Sequence, residues 1–101
     1  MWLMVFFDLP TKTAKDRRDA TMFRKNLLRD GFTMLQFSSY VRHCASWENA
    51  QVHRKRVKAF VPSKGEICIL ELTDKQFGEM EMFSNASKTP PPSEGIQLEL
   101  F

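Results

Sequence analysis

Asp8 stands where a hydrophobic run ends: Trp2-Leu3-Met4-Val5-Phe6-Phe7 leads into it, and Leu9-Pro10 follows. A carboxylate closing a buried strand is costly without a partner. Strand alternation puts Asp8 on one face with Trp2, Met4 and Phe6, and Leu3, Val5 and Phe7 on the other. If the first face meets a two-fold mate, two Asp8 carboxylates approach each other across the axis. Two hard oxygen ligands at one point suit Mg²⁺ held against a phosphate, with Asp8 as metal ligand and catalytic residue. One carboxylate per chain is too little for a nuclease, and symmetry is what would make the site. The plainer reading is that Asp8 opens a turn before Pro10, as Asp commonly does.

The cations are the second set of candidates. The net charge is +3 and the pI about 9.1. Basic residues gather at Lys12, Lys15, Arg17 and Arg18, at Arg24, Lys25 and Arg29, and at Arg54, Lys55, Arg56 and Lys58. Most acids come later, from Glu66 onward. That asymmetry suits a nucleic-acid face carried by Arg17, Arg18, Arg24, Lys25, Arg54, Lys55, Arg56 and Lys58, although two solvated helix faces would look the same. Arg17 and Arg18 lie in the first turns of a helix, against its dipole. A phosphate would compensate them, and so would a salt bridge to Asp8, Asp16 or Asp19.

Other constellations are weaker. His43-Cys44 with His53 matches no familiar zinc spacing. Gln36-Phe37-Ser38-Ser39-Tyr40 offers hydroxyls and two aromatics that could stack bases, but the glycine-aromatic signature of RNA-recognition motifs is missing. Phe37 reads instead as core or interface. Neither a phosphate-binding glycine loop nor a Ser/His/Asp or Cys/His arrangement stands out.

These residues need elements to hold them. Residues 2–8 read as a strand buried on both faces. A helix is predicted over 13–30, capped by Thr13 with Asp16 in a capping box and stopped at Gly31. Residues 32–43 suit one long strand, or two broken near Ser38. Ser46 caps a second helix whose stripe is Ala50, His53, Val57 and Phe60, and Pro62 ends it. His53 on that stripe reads as a packed, hydrogen-bonded histidine. Lys64-Gly65 turns into a strand over 66–72; 73–77 suits one short helical turn, and 80–84 a further strand. The order is that of a ferredoxin-like βαββαβ domain, class α+β, over 1–84 with additional C-terminal strands. Residues 85–95 form a proline-rich linker, mobile or extended, and 96–101 a strand-like tail. Helices cover only one face of such a sheet, so the apolar second face asks for a homodimer through Trp2, Met4, Phe6 and Phe37.

The 101 residues suffice for one domain with one core. Hydrophobic residues at 43% and charged residues at 27% argue against a disordered chain. No apolar run reaches a membrane span, and the opening run, without a basic leader, is not a signal peptide. Two cysteines, Cys44 and Cys68, are too few for a disulfide scaffold and imply a reducing, cytoplasmic setting.

Taken in combination, several segments resemble one family. Leu3-Met4-Val5-Phe6-Phe7-Asp8-Leu9-Pro10 resembles the first strand of CRISPR-associated protein two, which ends in the family's characteristic Asp. Residues 24–38, Arg24 through Met34-Leu35-Gln36-Phe37-Ser38, are similar to its first helix end and second strand, in members that accompany single-effector systems. The likeness continues through Tyr40–Cys44 and Gly65 to Gln76-Phe77, with Ser39 standing where a larger aliphatic residue is expected. The resemblance implies a ferredoxin-like homodimer that binds duplex DNA and bridges dimers of the CRISPR integrase subunit during spacer acquisition. It also implies an endonuclease acting on RNA or DNA with Mg²⁺ at Asp8. The alternative is an RNA-binding or toxin-like endoribonuclease on the same fold.

Overall fold

The computed structural model describes residues 1–91. Strand β1 (Trp2–Asp8) is followed by helix α1 (Ala14–Arg29), strands β2 (Thr33–Gln36) and β3 (Ser39–His43), helix α2 (Trp47–Ala59), strand β4 (Glu66–Leu72) and helix α3 (Asp74–Gly78). A short hairpin, β5 (Met82–Ser84) and β6 (Ser87–Thr89), comes last. The first four strands form one antiparallel sheet in the order β2-β3-β1-β4. The chain is therefore α+β and ferredoxin-like, with extra C-terminal strands.

Local chemistry explains the boundaries. Thr13 N-caps α1: its hydroxyl accepts from the Asp16 N–H at 3.0 Å, while the Asp16 carboxylate accepts from the Thr13 N–H at 3.2 Å. Ser46 caps α2 by accepting from the Asn49 N–H at 3.1 Å, and Thr73 caps α3 in the same way from Gln76. Gly31, at φ +86°, leaves α1 through a left-handed conformation that other residues adopt only under strain, and a Cβ there would have to displace the tip of the Arg42 guanidinium. Residues 32–43 are two strands, with a register shift between Met34 and Gln36.

Helices α1 and α2 lie on the Leu3, Val5 and Phe7 face. Those residues pack with Phe23, Leu27, Phe32, Tyr40, Ala50 and Val57 in the main core. Phe7 meets Phe23 edge-on, with ring centroids 5.0 Å apart. The opposite face holds a second, smaller cluster of Trp2, Val41 and Phe77, with Met4, Leu35, Leu72 and Met80 packed around it. Phe77 of α3 stacks on Trp2 at 3.9 Å and 9°. That face is thus partly covered by its own chain, and Trp2, expected on the open face, is only 4% exposed. What stays open is the half carrying Phe6 and Leu70.

One expected boundary differs. The segment beginning at residue 85 was expected as linker, yet Asn85 and Ala86 turn at φ 53° and 63° and Ser87–Thr89 pairs with Met82–Ser84. Two consecutive left-handed residues make the tight turn that favours a two-residue hairpin. Residues 92–95 of that linker and the tail 96–101 lie outside the described residues. Among the described residues no helix is long and apolar enough to cross a membrane.

Candidate active site and nucleic-acid interface

Asp8 is the last residue of β1, and antiparallel pairing sets it directly opposite Glu66, the first residue of β4. Gly65 makes this juxtaposition possible. Its φ is +91°, and a Cβ there would lie 2.7 Å from the Asp8 carbonyl oxygen. The two carboxylates border an open concavity of about 340 Å³ lined also by Phe6, Phe7, Ser38, Ser39 and Cys68. The Phe7 N–H donates to the Ser38 carbonyl at 3.0 Å, which pins the β2–β3 turn beside the site. Asp8 and Glu66 are both exposed, so the expected cost of a buried carboxylate does not arise. Like charges directly opposite in a sheet do repel, and a cation relieves them.

Two carboxylates beside space for a phosphate agree in number and type with what Mg²⁺ takes from proteins, one or two carboxylates plus substrate oxygens. Among the described residues, no group of three or more His, Cys, Asp or Glu side chains gathers to hold a metal by itself. Glu66 escaped the sequence reading because its partner is set by strand order. Its signal was available in the plan itself, where the start of β4 must meet the end of β1.

The cations divide into two groups. Arg18 and Lys25, with Arg17, Ala14, Thr21 and Met22, line an open groove of about 470 Å³ along α1. Arg17 is committed within the chain: its Nη1 donates to the carbonyls of Thr11 and Lys12 at 3.0 and 3.1 Å, bracing the β1–α1 loop. Lys55 and Lys58 are exposed on α2.

Arg24, Arg54 and Arg56 are engaged within the chain. Arg24 donates from Nε to the Phe37 carbonyl at 3.3 Å and lies 3.9 Å from the Phe37 ring centroid. Phe37 is 71% exposed, so it belongs to the surface and not the core. Arg54 pairs with Glu71, which also accepts from Gln51 Nε2 at 2.8 Å. The Gln51 hydrogen bond, aided by the Arg54 charge, holds the Glu71 carboxyl below the usual range. Arg56 donates to Asp30 at 3.0 Å.

The remaining candidates have structural partners. His53 is buried with Nδ1 2.8 Å from Asp30, the packed histidine expected from the stripe on α2. Cys44 is buried in the main core, and burial pushes its thiol up, away from the reactive thiolate. Cys68 is exposed at the edge of the Asp8 concavity.

A family model described as CRISPR associated protein Cas2 matches residues 1–80. A protein of Flavobacterium psychrophilum named CRISPR-associated endoribonuclease Cas2 is 52% identical over 101 residues, which are all of this chain and 88% of that one. A protein of the same name from Parvibaculum lavamentivorans is 50% identical over the full length of both chains. Another, from Ligilactobacillus salivarius, is 46% identical over 80 residues, 79% of each chain.

Proposed function

This chain belongs to the Cas2 family of CRISPR-associated proteins, and from that premise we propose that it is a homodimeric adaptation subunit that binds duplex DNA and bridges integrase dimers, with a metal-dependent phosphodiesterase site at Asp8. The observation that supports the site best is the opposition of Asp8 and Glu66 at the open end of the sheet. In this reading Asp8 of both subunits binds Mg²⁺, and Glu66 adds negative charge that favours a cation there. Bound magnesium supplies positive charge against the phosphoryl oxygens. The Ser38 and Ser39 hydroxyls at the rim are donors for a phosphate, and Phe6 provides an apolar wall. Arg18 and Lys25 give the α1 groove its affinity for a backbone, so binding falls steeply with salt and shows little sequence preference.

A second reading, cleavage of RNA as the main activity, is favoured by the relatives' shared name of endoribonuclease. One experiment addresses both. Wild type and Asp8→Ala are compared on labelled RNA and on duplex DNA, each with Mg²⁺ and with chelator. We expect metal-dependent cleavage by wild type, a loss of at least roughly a hundredfold in Asp8→Ala, and unchanged duplex binding. Equal cleavage by the two proteins would remove Asp8 from the chemistry. Duplex binding without cleavage of either substrate would leave the scaffold role alone.

A further inference from the structure

A further concavity, of about 330 Å³, lies between the two long helices and is lined by Asn26, Arg29, Asp30, Arg56, Ala59 and Phe60. Asp30 is the C-cap of α1, with its side chain only 9% exposed. Its two oxygens are used by different partners on α2: Oδ2 by His53 Nδ1 at 2.8 Å, and Oδ1 by Arg56 Nη1 at 3.0 Å. A buried carboxylate bridging two side chains is a poor source of stability, since apolar packing would serve as well. What it does achieve is direction. The Arg56 side chain is 59% exposed, so one edge of its guanidinium fork is tied down while the rest faces solvent beside the groove.

Arg29, exposed in the last turn of α1, brings a second guanidinium to the same groove. Two guanidinium groups stand against one carboxylate in the groove. The groove lies at the C-terminal ends of both α1 and α2, whose dipoles oppose an anion, so the cations must be fixed in place, and not merely nearby, to hold one. A planar fork suits phosphate oxygens better than an ammonium does.

We propose that Arg56, positioned by the buried Asp30–His53 pair, and Arg29 form a phosphate-binding groove between α1 and α2 that grips the backbone of bound nucleic acid. This rests on the duplex-binding reading above and adds a contact surface separate from the Arg18–Lys25 groove. Asp30 and His53 are positioning residues, acting through Arg56.

The test is fluorescence anisotropy of a labelled duplex titrated with full-length protein at several NaCl concentrations. Arg29→Gln and Arg56→Gln should each weaken binding roughly tenfold and flatten the slope of log K against log salt by about one. Arg56→Lys keeps the charge at an exposed position, so it should keep the slope and lose affinity. Asp30→Asn gives a test of sign, made on protein whose circular dichroism matches wild type. Removing a negative charge beside a polyanion strengthens binding if Arg56 needs no positioning, and weakens it if Asp30 aims the fork. Wild-type binding by Arg56→Gln or Arg56→Lys, or tighter binding by Asp30→Asn, overturns the proposal while the duplex-binding reading stands. A wild-type protein that binds no duplex at low salt overturns both.

Discussion

Asp8 and Glu66 are held in opposition by backbone register and by Gly65, whichever charges they carry. The fold therefore maintains two facing acids at the open end of its sheet, the reverse of what it does with Asp16, Asp30 and Glu71, each of which accepts from a donor. Asp16 shows the contrast. It accepts from the Thr13 N–H, which, with the Thr13 hydroxyl and the charges of Lys64 and Lys15, draws its carboxyl below the ordinary value of 3.8. A carboxyl lowered on folding stabilises the native state above its unfolded pKa, and that contribution is lost as pH falls through the folded value. Asp16→Asn should therefore be less stable than wild type at neutral pH, with the gap closing below about pH 4 as both side chains become neutral. Urea denaturation of both proteins between pH 7 and pH 2.5 measures the gap, and one that is constant across that range would contradict the linkage. Single-residue chemistry of this kind was readable in the sequence, because cap and partner lie three residues apart. The Glu71–Arg54 and Asp30–Arg56 pairs were not, since 17 and 26 residues separate their members. Cations that read as a free basic face are partly spent inside the molecule.

Elements follow the same division between local and distant information. Both long helices, their caps, the turn at Gly65 and the short helix after Thr73 were all legible, being set by spacing, caps and turn residues. What α3 does was not legible, because it depends on where the helix lands. Its five residues are too few to be stable alone, and it persists because Phe77 stacks on Trp2 and closes the second cluster. Phe77→Ala should cost about 3 kcal/mol and release α3 from the sheet. Tryptophan emission reports this cleanly, since Trp47 is already 57% exposed and only Trp2 has an enclosed environment to lose. A red shift with lowered urea resistance is expected. An unshifted spectrum in a destabilised protein would mean that α3 stays docked without its anchor. The hairpin after residue 81 was half legible: β5 was expected, while the polar composition of the residues beyond it read as linker and concealed the tight turn at Asn85-Ala86.

At the scale of the molecule, the sheet has one face closed by two helices and the other closed only where α3 reaches. Phe6, Cys68 and Leu70 remain open there, next to Asp8 and Glu66. Strand alternation alone indicated an uncovered face and a dimer to cover it, but it could not separate Trp2, already enclosed by its own chain, from Phe6, which is 38% exposed. That difference decides which substitution tests the dimer. Trp2→Glu would put a charge into the second cluster and damage the fold before it reported on assembly. Phe6→Glu puts the charge on the open half, where folding tolerates it, and a two-fold contact would bring two such charges together beside two Asp8 and two Glu66 side chains. On the proposed dimer its expected effect is a monomer by light scattering under conditions that keep the wild-type pair together, a shift of at least roughly a hundredfold in the dimer Kd. Cleavage should fall with it if the metal needs Asp8 from both subunits, and added Mg²⁺ should then partly restore the dimer by neutralising the acids. A Phe6→Glu protein that stays dimeric would move the interface off this face, and with it the reason for two Asp8 side chains to meet.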